Sequence, residues 1–306
     1  MTGDRVRGQE PELAIRVVAR PGRGLGRTVL RAGPGVIFSI IFLGLAVVAA
    51  VGAPFLAPHD PTAGDVTRRV MPPFWLEGGD PAYPLGTDQI GRDVLSRVIY
   101  GSRISLTVGV TAVVISGTLG TLLGLIAGYR GGLVDAVIMR VADIQLAFPF
   151  ILLAISVVAA IGSGLVNVVA VLGVAGWVSY GRVVRGQVLA VKEKEFVEAA
   201  RALGASTGRI LFIHILPNVL TPVVVLATFS AASYMVTEAA LTFLGLGVPP
   251  SIPSWGNMLT DARDYVRTAW WMSFFPGAAL ALTVLAINLL GDWLRDYLDP
   301  HLRNLM

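Results

Sequence analysis

The sequence predicts an all-α integral membrane protein with six transmembrane helices and with both termini in the cytoplasm. Of its 306 residues, 54% are hydrophobic and only 14% are charged, and the mean hydropathy is +0.70. Soluble domains carry about 25% charged residues, so this composition indicates a chain that is embedded in lipid. Six apolar stretches are long enough to cross a hydrocarbon layer of about 30 Å.

Polar connections separate the predicted spans. Residues 1–33 form an arginine-containing cytoplasmic tail, residues 34–56 the first span, and residues 57–103 a proline-rich extracytoplasmic segment that ends in an interfacial helix. Residues 104–293 hold a core of five further spans, and residues 294–306 form a charged cytoplasmic tail. The five core spans are expected at 105–128, 136–162, 165–182, 218–240 and 271–291.

Apolar residues between 94 and 99 recur at helical spacing and predict the interfacial helix that leads into the second span. The charged residues of the same stretch are expected on the solvated face of this helix. A role for them in solute binding is the less favoured alternative. They are Asp88, Arg92, Asp93 and Arg97.

Two features inside the predicted spans concern helix geometry. Gly120, Gly124 and Gly128 lie four residues apart in the second span, a pattern that lets another helix approach closely. We therefore interpret them as a packing face rather than as a permeation site. Pro149 is expected to kink the third span.

Few polar side chains occur inside the spans, and each carries an expectation. Arg140 and Asp143 begin the third span and are expected to pair with each other. The fourth span is the least apolar, and its Asn167 and Ser179 suit a helix that lines a polar path. Glu238 is expected at the outer end of the fifth span, either as part of a gate or, more simply, as a carboxylate held by hydrogen bonds.

The distribution of basic residues orients the chain in the membrane. Six spans place both termini on one side, and seventeen arginines and lysines flank the spans on that side, against seven on the other. Positive residues concentrate on the cytoplasmic side of membrane proteins. The termini and the segment 191–218 are therefore predicted to face the cytoplasm.

The segment 191–218, which reads VKEKEFVEAARALGASTGRILFIHILPN, is the one long charged stretch between strongly apolar segments. Apolar residues recur at helical spacing between 196 and 203, Gly204 can end this helix, and Ser206 can N-cap a second one. The pattern predicts two short helices, joined at a glycine, on the inner surface of the membrane.

This segment resembles the EAA loop of ABC importer permeases. The resemblance is carried by Glu198-Ala199-Ala200, Gly204 after three further residues, and the sequence HILP at 214–217 after nine more. The general pattern has isoleucine where this chain has histidine, and the HILPN variant is similar to the dipeptide, oligopeptide and nickel branch, in particular to its second permease subunit. Three further stretches, at 84–106, 237–247 and 291–303, resemble the same branch.

The resemblance implies a type I ABC importer permease fold and a coupling element that docks into cytoplasmic ATPase subunits. The implied partners are a second homologous permease subunit in a heterodimer, two ATP-binding-cassette ATPase subunits, an extracytoplasmic substrate-binding protein and the lipid bilayer of a bacterial or archaeal plasma membrane. The residues expected to contact the ATPase are Glu195, Phe196, Glu198, Ala199, Ala200, Arg201, Leu203, Gly204, Ala205 and Ser206.

No catalytic residue, metal or cofactor is expected in this chain. It has no cysteine, and its three histidines lie far apart. Neither of its two lysines follows a glycine, so a phosphate-binding loop is absent, and ATP and Mg²⁺ are assigned to the partner ATPase subunits. The net charge of +4 does not indicate nucleic acid binding, because the arginines flank membrane spans.

The favoured function is therefore uptake of dipeptides or oligopeptides, driven by separate ATPase subunits. Nickel chelates, glutathione or another small solute, carried by the same architecture, form the alternative. An ion-coupled stand-alone transporter would favour membrane-embedded carboxylates or an inverted repeat, and ranks lower. A membrane enzyme ranks last, because no HExxH, GxSxG or carboxylate pair appears in a suitable context.

Overall fold

The computed structural model describes residues 33–298, so the predicted tails lie largely outside the described part. Within it, helices are the only regular secondary structure apart from one isolated bridge between Thr87 and Asp93. The helices are α1 (Pro34–Leu56), α2 (Val94–Arg130), α3 (Gly132–Leu146), α4 (Phe150–Ile161), α5 (Leu165–Ala175), α6 (Trp177–Val191), α7 (Glu195–Ala202), α8 (Leu216–Phe243), α9 (Trp255–Ala262) and α10 (Trp271–Leu298).

Five helical segments in the described range are long and apolar enough to cross a membrane. A sixth crossing results if α3 and α4, which are bent by 89° relative to each other, count as one span. The predicted all-α membrane architecture is confirmed. The five segments are Pro34–Leu56, Val94–Arg130, Leu165–Val191, Thr207–Phe243 and Trp271–Leu298.

Pro149 lies at the bend of the third span. It is the N-cap of α4, in an extended conformation with φ −55° and ψ 129°. Proline has no N–H to donate to the preceding turn, and its ring restricts the residue before it, so α3 ends and a new helix starts in another direction.

Helix α2 has 37 residues and lies at the centre of the fold, packed against α1, α5, α6 and α8. The interfacial helix expected before the second span is continuous with that span. Asp93 caps the start of α2 by accepting a hydrogen bond of 2.9 Å from the backbone N–H of Ser96. Gly101 lets the indole of Trp255 pack directly on the first turns, since an added Cβ there would lie 2.7 Å from the ring.

The three glycines in the second half of α2 all lie against α6. A Cβ added at Gly120 would lie 2.3 Å from the carbonyl oxygen of Trp177, and one at Gly124 would lie 2.6 Å from that of Gly181. At Gly128 the nearest atom would be Cβ of Val188, at 2.8 Å. No larger residue could occupy these positions without separating the two helices.

Ion pairs join α3 to α6. Asp143 pairs with Arg182, so the expected pairing with Arg140 on the same helix is wrong. Closer to the cytoplasm, Asp135 accepts two hydrogen bonds, of 2.5 and 2.6 Å, from Arg185. The reason is geometric: α3 lies beside α6, and the carboxylates reach the arginines of that neighbour.

Candidate functional site: the cytoplasmic coupling segment and the outer charge cluster

The glycine turn predicted within segment 191–218, the candidate coupling segment, forms by a local motif. Helix α7 ends at Ala202, and Gly204 follows in the left-handed conformation with φ +77°. The N–H of Gly204 donates to the carbonyl of Arg201 at 3.0 Å, and the N–H of Ala205 donates to the carbonyl of Ala200 at 3.0 Å. This pair of hydrogen bonds is the Schellman motif, which satisfies the last carbonyls of a helix.

The second helix of the segment starts as predicted but does not end where the sequence suggested. The hydroxyl of Ser206 accepts from the N–H of Arg209 at 3.4 Å and caps the helical turn Thr207–Arg209. A π-helical stretch, Ile210–Ile215, then leads without a break into α8. Pro217 does not interrupt the chain because it lies in the first turn of α8, where its missing N–H is not needed.

Helix α7 is amphipathic, but the residues expected on one face divide between a buried and an exposed side. Val197 is buried in a cluster with side chains of α2, α6 and the π-helical stretch, and Ala200 is buried as well. Phe196 and Leu203, expected on the same face as Ala200, are exposed, and Leu203 is 88% exposed. The coupling segment therefore presents apolar side chains away from the protein, with the polar side chains of Glu198 and others between them.

The coupling segment is anchored to the spans on either side of it. Only Lys192, Glu193 and Lys194 separate α6 from α7, and Nζ of Lys192 donates to the carbonyl of Gly128, at the end of α2, at 3.2 Å. On the other side the π-helical stretch packs on both α7 and α8. Helix α7 is therefore joined by short connections and packing to both α6 and α8.

The three polar residues considered for a gate or a solute path lie apart from one another. The amide of Asn167 donates to the carbonyl of Gly162 at 3.0 Å and so closes the turn between α4 and α5. Ser179 is exposed on α6. Glu238 is fully buried at the outer end of α8, where its carboxylate accepts from the hydroxyls of Thr242 at 2.9 Å and Ser254 at 3.5 Å.

An outer charge cluster, formed by Asp88, Arg92, Arg97 and Asp261, contradicts the expected solvated face. All but Asp261 are buried, and Arg97 is only 1% exposed. Oδ2 of Asp88 accepts from Nε of Arg92 at 2.6 Å and also from Nη1 of Arg97. Oδ2 of Asp261 accepts from Arg92 at 2.8 Å and from Arg97 at 3.0 Å. The charges are buried because each finds an opposite charge, and two of the four ion pairs join distant parts of the chain.

The outer charge cluster ties the external segment to α9 and α10. Two indoles strengthen the same contact: Nε1 of Trp255 donates to the carbonyl of Val98 at 3.0 Å, and Nε1 of Trp271 to that of Thr87 at 3.1 Å. The only sequence signal for this cluster was the presence of balanced acidic and basic residues in a chain that is otherwise poor in charge.

The described residues offer little for a metal or a small cofactor. Between residues 33 and 298 no group of three or more His, Asp or Glu side chains is arranged to hold a metal ion. The carboxylates of the outer charge cluster already bind arginines, whose positive charge opposes a cation. A cavity of about 550 Å³ at the outer surface is open and lined mainly by prolines, with His59, Asp60, Thr62 and Tyr100.

Comparison with known proteins also indicates a protein that is embedded in the membrane. The sequence model of the family "Binding-protein-dependent transport system inner membrane component" matches residues 120–304. A di/tripeptide transport system permease protein, DppC, of Pseudomonas aeruginosa (strain UCBPP-PA14) is 46% identical over 270 residues, which cover 88% of this chain and 89% of that protein.

Two further relatives are similar over most of their length. A dipeptide transport system permease protein of Haemophilus influenzae is 43% identical over 269 residues, covering 88% of this chain and 91% of that protein. A glutathione transport system permease protein of Pectobacterium atrosepticum is 42% identical over 294 residues, covering 96% of both.

Among solved structures, a chain of the MetNI methionine ABC transporter in an inward-facing conformation matches with a TM-score of 0.50. The match covers 69% of this chain and 96% of that chain at 20% sequence identity, so it supports the fold alone. The family match extends over more than half of the chain, and the predicted multi-pass location in the inner membrane is confirmed. This chain therefore belongs to the family of binding-protein-dependent transport system inner membrane components.

Proposed function

We propose that this chain is a permease subunit of an ABC importer that carries short peptides into the cell, and that segment 191–218 couples it to ATPase subunits. The observation that carries the coupling role is the outward-facing apolar pair Phe196 and Leu203 on a helix whose other face is anchored in the protein. The peptide class is supported by relatives named for di/tripeptide and dipeptide transport.

The exposed side chain of Leu203 is available for contact with a partner protein. Burial of a leucine side chain is worth about 1.5–3 kcal/mol relative to leaving it in water. Leu203 is 88% exposed, directly before the glycine turn, and the charged side chains of Glu198 and Arg201 flank it. An apolar centre with a polar rim is the usual composition of a protein–protein interface.

The anchoring of α7 supports a mechanical role. Val197 lies in a buried cluster with side chains of α6 and α8, and the Schellman motif holds the turn after the helix. A coupling element on a flexible loop would absorb the displacement of an ATPase subunit. A packed helix passes it on, so that α6 and α8 tilt and the solute path changes between inward-facing and outward-facing states.

The proposed assembly has four kinds of component besides this chain: a second, homologous permease subunit that forms a heterodimer with it, two ATPase subunits, an extracytoplasmic substrate-binding protein and the bilayer. The sequence offers no glycine-rich loop followed by lysine. ATP and Mg²⁺ are therefore assigned to the ATPase subunits, and this chain to transport without catalysis of its own.

A charged substitution at Leu203 tests the coupling role. Leu203→Glu should leave folding unchanged, because the side chain is exposed, and should weaken ATPase binding about 10- to 100-fold through lost apolar burial. Co-purification of the ATPase subunits and receptor-stimulated ATP hydrolysis in the reconstituted complex measure this. Leu133→Glu is the matched control, since Leu133 is 85% exposed at the start of α3, near the same surface.

Equal ATPase binding and hydrolysis in the Leu203 and Leu133 variants would overturn the coupling role. The solute class is tested separately, by uptake of labelled Ala-Ala and of labelled glutathione into proteoliposomes that hold the complete complex. We expect uptake of Ala-Ala. The relative named for glutathione transport makes glutathione the second candidate, and uptake of glutathione alone would replace peptides as the substrate.

A further inference from the structure

Helix α6 has two chemically different faces. One face is apolar or small and packs on α2, through Gly181, Val184 and Val188. The other is exposed in this chain and carries polar side chains, although the helix belongs to an apolar segment that is long enough to cross the membrane. The polar side chains of this exposed polar face are Ser179, Arg182 and Gln187, which lie about one and two helical turns apart, and Val183, Gly186 and Ala190 lie between and beside them.

The packing of α6 on α2 places this face within the membrane. Gly124 of α2 touches Gly181 and Arg185, so Arg182 lies level with Gly124. Helix α2 continues to Arg130, six residues or about 9 Å further toward the cytoplasm at 1.5 Å per residue. With the end of α2 at Arg130 taken as the inner boundary of the membrane, Arg182 lies about 9 Å inside that boundary.

At this depth Arg182 and Asp143 form an ion pair, and about half of each side chain is exposed. The side chains are 47% and 49% exposed, and one hydrogen bond, from Nη2 to Oδ1, joins them. Among residues 33–298, Nε and Nη1 of Arg182 and Oδ2 of Asp143 have no further hydrogen-bond partner. Charged side chains within a membrane face a water-filled path or the interior of a bundle, because exposure to hydrocarbon is costly.

A neighbouring pair shows what a structural contact between the same helices looks like. Asp135 and Arg185 form two hydrogen bonds, of 2.5 and 2.6 Å, and both side chains are more buried than Asp143 and Arg182. That bidentate pair already holds α3 on α6. The second pair is not needed for the same purpose, and its free donor and acceptor atoms point to a different role.

We propose that the exposed polar face of α6, together with the Arg182–Asp143 pair, lines the inner half of the solute path and contacts both charged ends of a passing peptide. The carboxylate of Asp143 is complementary to the peptide ammonium group, and the guanidinium of Arg182 to the peptide carboxylate. Because the two side chains also neutralise each other, they bind each end weakly, as a site from which the solute must leave requires. The solute class rests on the proposed function.

The absence of cysteine from the chain allows a direct test of water access. In the assembled complex, Ser179→Cys should react with a charged thiosulfonate reagent at least about tenfold faster than Leu45→Cys, and excess Ala-Ala should slow it, since thiolates form readily only in contact with water. Leu45 is an exposed apolar residue of α1 and serves as the lipid-facing control. Equal, slow labelling of both would overturn the proposal.

Charge removal tests the contact with the peptide. Asp143→Asn and Arg182→Gln should each reduce Ala-Ala uptake per ATP hydrolysed by about tenfold, the effect of losing one charge-assisted hydrogen bond. Asp135→Asn is the matched control, which should lower thermal stability but leave the peptide-to-ATP ratio unchanged. Unchanged ratios in the first two variants would overturn the peptide contact. If the unaltered complex transports no Ala-Ala, the proposed solute is wrong, whereas rapid labelling of Ser179→Cys would still identify the path.

Discussion

Substitution of Asp261 by asparagine is expected to destabilise the outer side of the protein by about 2–4 kcal/mol. The outer charge cluster is neutral, with two arginines and two aspartates, and Oδ2 of Asp261 accepts from Arg92 at 2.8 Å and from Arg97 at 3.0 Å. Asparagine keeps the shape but leaves one uncompensated positive charge where Arg97 is buried. Loss of one partner from a buried ion pair costs about 3–5 kcal/mol, and the partial exposure of Asp261 lets water offset some of it.

Thermal unfolding of the purified protein in detergent, followed by tryptophan fluorescence, measures this effect, because Trp255 and Trp271 lie at the same contact. Asp264→Asn is the matched control. Asp264 is three residues away and 79% exposed, its ion pair with Arg263 spans 3.5 Å, and its loss should cost less than about 0.5 kcal/mol. If both variants unfold at the same temperature, the outer charge cluster does not stabilise the fold and the reasoning is refuted.

Two other predictions concern local contacts. Gly124→Ala should lower stability by about 1–3 kcal/mol, because the new Cβ would lie 2.6 Å from the carbonyl oxygen of Gly181. Gly117→Ala is the control in thermal unfolding, since the nearest neighbour of its Cβ would be 3.5 Å away. Equal losses of stability in the two variants would contradict the close approach of α2 and α6. The pKa of Asp60 lies below its ordinary value, because its carboxylate accepts from the hydroxyl and N–H of Thr62. This contact stabilises the fold above the ordinary carboxyl pKa and is lost as the pH falls through the lowered one. Thr62→Val should raise the pKa of Asp60 in an NMR titration, and an unchanged pKa would contradict the assignment.

The coupling segment shows where sequence reasoning succeeds and where it stops. The turn at Gly204 and the cap at Ser206 could be predicted, because each depends on the backbone and side chain of a few consecutive residues. The rotation of α7 about its own axis could not be predicted. Phe196 and Val197 are adjacent apolar residues with similar hydropathy, and only the position of the neighbouring spans determines that Val197 is buried and Phe196 is exposed.

The charged residues of the external segment illustrate the same limit. Their helical spacing favoured a solvated face, and nothing local to residues 88–97 indicates burial. Arg97 is buried because Asp261, 164 residues later in the chain, accepts its hydrogen bond together with Asp88. A charge can leave water only when an opposite charge replaces the lost hydration, and the sequence does not show which distant residues become neighbours.

The sequence by itself determined the membrane class and the approximate positions of the crossings, because apolar length suffices for these. Only the tertiary structure decided that Asp143 pairs with Arg182 instead of Arg140, that three glycines of α2 contact α6, and that the outer charges are buried. These outcomes depend on which helices pack together, and the free energy of packing belongs to pairs of surfaces that are far apart in the chain.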